Sequence, residues 1–236
     1  MKALAETILS VSIVGGALAL DHRSHLRLLV SQPICGGLVT GLVLGDWHAG
    51  FAVGAILQMM FLGAVSMRAA PLPDLPLGGV VASALSIIVP RAMGDAAPAR
   101  GFVLVCSIAA GLGVAVAGRA AMRWWEGRAD AFAEAARRSV ERDRWWAASA
   151  IHFSTLILHF AFGFVAAGAA TAALVPIVSL LAGAVAGQWS EPLASLGALL
   201  PFIGAGTLAA ANRSRTRMFW FMAGFACVML VLFFRG

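Results

Sequence analysis

The residues best suited to chemistry are polar side chains set into strongly apolar sequence between Gln32 and Asp74. Gln58 has about nine apolar residues on either side, and Asp46 and Asp74 stand before and after the run that holds it. A buried amide or acid is costly unless something hydrogen-bonds to it, and for that reason polar residues inside membranes tend to mark solute pathways. The stretch therefore predicts a solute-binding site inside a packed membrane protein.

The turn at residues 46–48 divides two apolar runs and is flanked by glycines at four-residue steps: Gly37, Gly41, Gly45, Gly50 and Gly54. A four-residue step places glycines on one face of a helix, where a neighbouring backbone can approach closely. The sequence predicts two helices at residues 28–45 and 47–67, each run being close to the ~20 residues that cross a bilayer.

The composition of the 236-residue chain excludes a water-soluble domain. The chain is 61% hydrophobic and only 12% charged, with a mean hydropathy of +0.89, whereas a soluble domain carries about 25% charged residues. Long apolar runs that do not alternate favour helices over a barrel. We expect an all-α, polytopic integral membrane protein with about eight or nine apolar segments, some of them re-entrant or half-spanning. A single membrane domain, residues 1–236, would comprise N-terminal helices to residue 118, a connector at 119–146 and C-terminal helices at 147–236.

The first apolar run and the proline-rich loop after the hairpin can each be interpreted locally. Residues 3–20 are interpreted as a first membrane helix, although Ala17-Leu18-Ala19 also resembles a signal-peptide cleavage site. Three prolines forbid a regular helix through the loop: Pro71, Pro73 and Pro76. The apolar run that follows, residues 75–90, is short for a full crossing.

The net charge of +6 raises the question of nucleic acid, but the arginines are concentrated in one segment. Seven of the sixteen lie between Arg119 and Arg144, beside five acids. Cytoplasmic loops of membrane proteins carry such an excess of arginine. Residues 119–146 are therefore predicted to be cytoplasmic, and no nucleic-acid partner is expected.

The connector also has the pattern of an amphipathic helix. Its apolar residues recur at three- and four-residue steps, which marks one helix face. Glu134 with Arg138, and Arg137 with Glu141, have the i,i+4 spacing of ion pairs on the other face. The segment is either a docking surface for soluble partners or a helix that lies at the membrane interface.

The C-terminal third poses a problem of topology. Residues 147–190 contain no formal charge and suit two segments that break near residues 168–176, and a further run follows at 193–211. Three full crossings between Arg144 and Arg213 would place these basic residues on opposite sides, whereas the positive-inside rule places both in the cytoplasm. One of the three is therefore predicted to be a re-entrant half-segment, as is common around the midplane sites of transporters.

No catalytic, cofactor or metal site is predicted. His152 and His159 lie seven residues apart, about 10 Å along a helix, which is too far for one metal ion. The cysteines stand singly in apolar runs and are interpreted as buried reduced thiols: Cys35, Cys106 and Cys227. The sequence shows no Ser/His nucleophile pairing, no HExxH motif and no paired helical acids, and this disfavours an intramembrane enzyme.

Several short motifs, in their order and spacing, resemble subunit IIC of the mannose/fructose/sorbose class of the bacterial phosphotransferase system (PTS). They are Gln32-Pro33-Ile34, Leu44-Gly45-Asp46, Leu57-Gln58 through Leu62-Gly63, and Pro73-Asp74. A weaker likeness continues through Ile151-His152-Phe153-Ser154 and the C-terminal apolar segments, so that it covers nearly the whole chain. The resemblance implies a multi-pass subunit of the bacterial inner membrane that binds and translocates a hexose or related sugar.

The resemblance also gives the polar residues a role. Sugar hydroxyls need Asp, Asn, Gln or Glu side chains beside an apolar or aromatic platform. The candidate substrate-binding residues are Gln58, Asp74, Ser66 and Asp46. Trp47 is either the platform or a residue of the interfacial aromatic belt.

The partners implied by the resemblance are a IID-type membrane subunit, which completes the sugar pathway, and cytoplasmic IIA and IIB components, which phosphorylate the sugar as it emerges. Subunit IIC itself carries no phospho-residue, and a higher oligomer in contact with membrane lipid is expected. The chain departs from the family at three positions, since many members have Glu at Gln58, an amide near Ser66 and a small residue at Arg68. The alternative is a transport-incompetent regulatory or scaffold membrane protein derived from such a permease.

Overall fold

The computed structural model describes residues 2–23, 32–61, 73–94, 100–184, 192, 199–204, 206 and 219, and the regular structure within them is helical. The described ranges contain six long helices, named here in chain order: α1 (Lys2–Arg23), α2 (Pro33–Leu44), α3 (Trp47–Met60), α4 (Leu75–Ala92), α5 (Arg100–Glu141) and α6 (Trp145–Ala184). Four of them, α1, α4, α5 and α6, contain segments long and apolar enough to cross a membrane. These segments confirm the all-helical, polytopic membrane fold.

Helices α2 and α3 form a tight hairpin whose turn is set by local chemistry. Gly45 adopts a left-handed conformation (φ 74°), which glycine reaches without a steric penalty. The N–H of Asp46 donates to the Gly41 carbonyl at 2.8 Å. The Asp46 carboxylate then caps α3 by accepting from the N–H of Ala49 at 3.0 Å. This geometry ends one helix and starts the next within three residues.

The hairpin helices are shorter than the sequence predicts. Helix α2 begins at Pro33, after an extended Gln32, and has 12 residues, while α3 ends at a cap on Phe61 after 14. At 1.5 Å per residue they are about 18 and 21 Å long, against the ~30 Å of a bilayer core. The described helices of the runs 28–45 and 47–67 are therefore shorter than a crossing, and residues 28–31 and 62–67 of these runs lie outside the described residues.

Helix α4 is the centre of the fold. It has 18 residues and contains Pro90 in its last turn. Within its membrane-spanning segment, 72% of the residues are buried, whereas the corresponding share is 28–39% for the other three spans. Helix α4 contacts α1, α2, α3, α5 and α6. A helix that is apolar all round is suited to such a position. The run at 75–90 is thus not too short to span, because the helix extends through Pro90 to Ala92.

Helices α5 and α6 are each about 60 Å long and form an antiparallel pair. The predicted connector is not a separate element, because α5 continues without interruption from its membrane span to Glu141. A turn at residues 142–144, with Asp143 at φ 56°, leads into α6. Near the C-terminus of α5, both predicted ion pairs are present: Arg138 lies 3.6 Å from Glu134, and Arg137 contacts Glu141.

Helix α6 runs through the position where a break was expected. Residues 168–176 are helical, with Pro176 inside the helix. Membrane helices tolerate proline when neighbouring helices hold them, and Val175 and Val178, on either side of it, are buried in the core. The predicted two segments are therefore one helix. The apolar run at 193–211 is described only in part, at 199–204 and 206, and the one at 218–234 only at Phe219.

Helix α1 packs along α6 through small residues. A Cβ atom on Gly15 would lie 2.8 Å from the Gly163 carbonyl oxygen, and a Cβ atom on Gly168 would collide with the hydroxyl of Ser12, which precedes Gly15 by one turn of α1. Val11 and Leu18 of α1 belong to the main hydrophobic cluster. The first apolar run is therefore an integral helix of the core, as the sequence predicts.

Candidate functional site

The glycine faces set the register of α2, α3 and α4. Gly37 of α2 meets the Gly50 carbonyl of α3, and a Cβ on Gly37 would also lie 3.0 Å from the Ser83 hydroxyl of α4. Ser83 Oγ in turn donates to the Gly50 carbonyl at 3.3 Å. The predicted close approach of the glycine faces is confirmed, and it brings three backbones together at one depth.

One helical turn further along α3, a second level repeats this arrangement. A Cβ on Gly54 would contact the Pro33 carbonyl, and a Cβ on Gly79 would lie 3.4 Å from the Pro33 Cα. The next turn of α3 carries Gln58, and the preceding turn of α4 begins at Asp74. Because α3 and α4 run antiparallel, this register places Gln58 and Asp74 at the same depth.

Gln58 has an unusual environment for an amide. Its side chain is half-buried, and its Oε1 atom is buried without a hydrogen-bond partner among the described residues. Leaving such an acceptor unsatisfied costs about 1–3 kcal/mol, so buried amides normally have a partner. The oxygen is positioned to accept a hydrogen bond from a bound hydroxyl or from a partner subunit.

Asp74 lies at the N-terminus of α4, where it packs against the middle of α5. Only 7% of the residue is exposed, and its Oδ1 accepts from the N–H of Leu77 at 3.3 Å, which caps α4. Its own N–H donates to the Ala115 carbonyl at 2.9 Å. A Cβ on Gly118 would lie 3.6 Å from Oδ2, so the carboxylate is held close to the α5 backbone.

Asp46 lies at the opposite end of α4. It lines a cavity of about 230 Å³ together with the last turn of α4, including Pro90 and Arg91, and with Arg100 at the start of α5. Asp74 caps the other end of α4, so the two acids are separated by roughly 25 Å, the length of that helix. The structure thus brings Gln58 and Asp74 to one level and sets Asp46 apart from both.

The remaining sequence candidates have different outcomes. Ser66 and Arg68 lie outside the described residues. The indole of Trp47 stacks on the imidazole of His48, with ring centroids 3.5 Å apart, beside the hairpin turn and away from the level of Gln58. Such a half-exposed position suits the aromatic belt at a membrane interface.

An apolar barrier separates the cavity from the Gln58 level. It consists of four side chains from three helices, each at most 2% exposed: Val53, Leu57, Ala82 and Ile108. Val53 also forms part of the cavity wall, whereas Leu57 is the neighbour of Gln58. Among the described residues, this cluster therefore lies between the cavity and Gln58.

Sequence reasoning missed the basic residues of the cavity. Arg91 Nη1 donates to the Leu44 carbonyl, the last of α2, at 2.6 Å, and Arg100 lies across the cavity on α5. The signal available in the sequence was the position of both arginines at the ends of apolar runs. That signal does not show which end of the hairpin they face, because this depends on the register of three helices.

Comparison with known proteins places this arrangement in context. The family model of the sorbose-specific IIC component of the PTS system matches residues 5–233. In Escherichia coli (strain K12), the putative N-acetylgalactosamine permease IIC component 2 is 34% identical over 77 residues, which are 33% of this chain and 55% of that protein. The sorbose-specific EIIC component of Lacticaseibacillus casei is 30% identical over 148 residues, which are 62% of this chain and 47% of that protein.

A third relative has similar coverage. The fructose permease IIC component of Bacillus subtilis (strain 168) is 30% identical over 128 residues, which are 54% of this chain and 44% of that protein. The chain therefore spans about half the length of the curated relatives that it matches.

Two solved structures share the fold. One, described as the structure of a membrane protein, has a TM-score of 0.71 and 23% identity. The other is the mannose transporter ManYZ in complex with microcin E492, with a TM-score of 0.55 and 22% identity. In both cases the match covers 98% of this chain and 95% of the other.

Proposed function

Because this chain belongs to the family of sorbose-specific IIC components of the phosphotransferase system, we propose that it binds a hexose or related sugar and translocates it across the bacterial inner membrane. It works as a transport subunit, and phosphoryl transfer takes place on other components. The sugars named for its relatives are N-acetylgalactosamine, fructose, sorbose and mannose. These four define the first panel of substrates to test.

The observation that carries the proposal is the buried Gln58 Oε1 atom at the level of Asp74, which has no hydrogen-bond partner within the described part of the chain. A sugar hydroxyl donates one hydrogen bond and accepts others. The Gln58 amide offers both an acceptor and donors, and the Asp74 carboxylate adds acceptors. The apolar side chains around Leu57 supply the surface on which a sugar ring packs.

Ser66 and Asp46 complete the proposed set of substrate contacts, on the strength of the family resemblance. Ser66 follows α3 in the sequence and is proposed to join Gln58 and Asp74. Asp46 is too far from Asp74 for one monosaccharide to contact both. Any contact with Asp46 is therefore made in the cavity at the other end of α4.

The proposed partners are a IID-type membrane subunit and cytoplasmic IIA and IIB components that phosphorylate the sugar, in a higher oligomer surrounded by lipid. Large apolar side chains are exposed along the whole length of α6 and are available to lipid and to this further membrane subunit: Trp145, Phe153, Ile157, Val165, Ile177 and Leu180. We expect the chain to require this subunit for stable assembly. Purification of the chain alone as a monodisperse, sugar-binding protein would contradict that expectation.

Uptake in cells tests the proposal. The chain is produced together with IID, IIA and IIB components in a bacterial host that lacks mannose-class permeases, and the accumulation of each radiolabelled sugar of the panel is measured. We expect uptake of at least one sugar that depends on the chain and on phosphoenolpyruvate-driven phosphorylation. The matched control produces the same partners without the chain.

The same experiment separates the two functions considered. A complex that assembles in the membrane but takes up none of the sugars would overturn the transport function. It would favour the regulatory or scaffold protein, in which the exchange of a charged acceptor for Gln58 marks a lost sugar site.

A further inference from the structure

The cavity at Asp46 lies at the opposite end of α4 from the level of Gln58 and Asp74. Three helices converge on it: the start of α3, the last turn of α4 and the start of α5. Its volume of about 230 Å³ is below the ~300–1,000 Å³ of pockets for drug-sized ligands. A cavity of this volume is too small for a drug-sized ligand and suits a molecule of monosaccharide size.

The cavity wall combines hydrogen-bonding groups with apolar surface. Asp46 supplies a carboxylate acceptor, Arg91 and Arg100 supply guanidinium donors, and Ser86 supplies a hydroxyl. Arg91 uses one of its five N–H groups on the Leu44 carbonyl. Ala52, Val53 and further apolar residues of α3, α4 and α5 form the rest of the wall. This mixture of polar anchors and apolar surface is what binds a polyhydroxylated ring.

The position of the cavity indicates which side of the membrane it faces. Helix α5 begins with Arg100 at the cavity, crosses the membrane and continues to Glu141. The arginine-rich end of α5 belongs in the cytoplasm by the positive-inside rule. The cavity is consequently at the opposite, outer face, where an incoming sugar arrives first.

We propose that this cavity is a second sugar-binding site, which holds a neutral monosaccharide at the outer face before it reaches the level of Gln58. The proposal rests on the proposed function as a sugar transporter. The barrier at Val53 and Leu57 forms the floor of the site. The sugar binds there independently of Gln58 and passes inward only when the floor opens.

Protection of a cysteine in the cavity from alkylation tests the second site. Ala52 is exposed at the wall of the cavity. The variant Ala52→Cys, in a full-length chain whose three native cysteines are replaced by alanine, is purified with its membrane partner. Its rate of reaction with a maleimide is measured with mannose, fructose, sorbose and N-acetylgalactosamine. At ten times the dissociation constant, we expect one of these sugars to slow labelling about tenfold, because only about a tenth of the sites remain empty.

Two further variants make the result specific. Ala92→Cys, exposed at the same end of α4 but outside the cavity, is expected to label at the same rate with and without sugar. Protection of Ala52→Cys is expected to persist when Gln58→Leu is added. It is expected to weaken with Arg91→Gln, which keeps an N–H group near the Leu44 carbonyl but removes the guanidinium.

Each contrary result overturns a defined part of the proposal. Equilibrium dialysis with the same sugars, carried out in parallel, reports binding to the whole complex. Sugar binding without protection of Ala52→Cys removes the second site and leaves the proposed function intact, whereas the absence of any binding removes both. Protection that disappears with Gln58→Leu shows a conformational effect of the deeper site. Protection by glucuronate but by none of the neutral sugars overturns the neutral ligand class.

Discussion

The hydroxyl of Ser83 donates a hydrogen bond to the carbonyl oxygen of Gly50, 3.3 Å away across the interface of α3 and α4. Gly50 is buried, and Ser83 is fully buried. A backbone carbonyl in a helix has a second lone pair to offer, and the absence of a side chain at Gly50 lets the serine reach it. This contact fixes the short hairpin at a defined height on the central helix, and the depths of Gln58 and Asp46 follow from that height.

Substitution of Gly50 by alanine is predicted to destabilise the protein. A Cβ atom there would collide with the Gly37 carbonyl and lie 2.7 Å from the Gly41 Cα. Both neighbours are backbone, so the helices themselves must move apart. Overpacking of this kind costs about 1–3 kcal/mol, and we expect a lower midpoint in a thermal unfolding scan of the purified protein in detergent.

The matched control is Gly113→Ala on α5, where nothing lies within 4 Å of the added Cβ. Alanine there is expected to be neutral or to stabilise the helix by about 0.5–1 kcal/mol. Equal midpoints for Gly50→Ala and Gly113→Ala would show that the hairpin is not held by close backbone contact.

The C-terminal end of α5, which ends at Glu141, is predicted to be cytoplasmic because of its arginine density. In intact cells, a membrane-impermeant maleimide is expected to leave Ser139→Cys unlabelled and to react with Ala92→Cys at the other end of the fold. Opening the cells is expected to expose Ser139→Cys. Labelling of Ser139→Cys from outside would reverse the assignment, and with it the outer location of the cavity.

The carboxyl group of Glu134 is predicted to titrate below its ordinary range. A hydrogen bond from Arg137 is the largest influence on the pKa of Glu134 and lowers it; desolvation opposes it, and the charges of Arg137 and Arg138 lower the pKa further. Since the pKa is lowered on folding, the ion pairs are fully formed above the unfolded-state pKa. They are lost as the pH falls through the lowered value.

Carbon-13 NMR of the Glu134 carboxyl group measures this shift directly. Arg137→Gln removes the main hydrogen bond and is expected to return the pKa of Glu134 towards its ordinary value, whereas Arg142→Gln, one of the exposed residues beyond the pairs, is expected to change it little. An ordinary pKa for Glu134 in the unmodified protein would show that the pairs are broken by solvent.

The features of the fold that could be predicted from the sequence are those set by residues close together in the chain. The glycine steps and the turn at Asp46 are local, so the close packing of the hairpin followed from the sequence. Hydropathy likewise identified the membrane class. Helix α6 was misjudged because tertiary contacts decide there: burial around Pro176 keeps the helix continuous. The start of α2 at Pro33 is by contrast a local signal, since proline is favoured in the first turn of a helix.

The candidate site shows the same division. Spacing alone grouped Asp46, Gln58 and Asp74, since all three stand in one 43-residue stretch. The antiparallel register of α3 and α4 keeps Gln58 with Asp74 and sends Asp46 to the far end. That register comes from contacts between residues distant in the chain, such as Ser83 with Gly50, and no local pattern encodes it.

The sharpest prediction concerns Gln58→Leu. If the amide hydrogen-bonds a sugar hydroxyl, leucine removes donor and acceptor while it keeps most of the volume. Loss of such a bond costs about 1–3 kcal/mol, which is roughly a 5- to 150-fold loss of affinity. We expect that loss in sugar binding to the purified complex, with Met59→Leu, an exposed neighbour on α3, as the control that retains full affinity.

The competing explanation for Gln58 predicts a different pattern. If the amide instead bonds to another membrane helix, a contact worth about 0.6–2 kcal/mol, Gln58→Leu lowers the thermal stability or yield of the complex. The surviving protein then keeps its sugar affinity. Measuring both quantities on one preparation separates the two roles, because the orphaned Oε1 atom needs a donor in either case and only the donor differs. Unchanged affinity with lowered stability would remove Gln58 from the sugar site and leave Asp74 as its buried anchor.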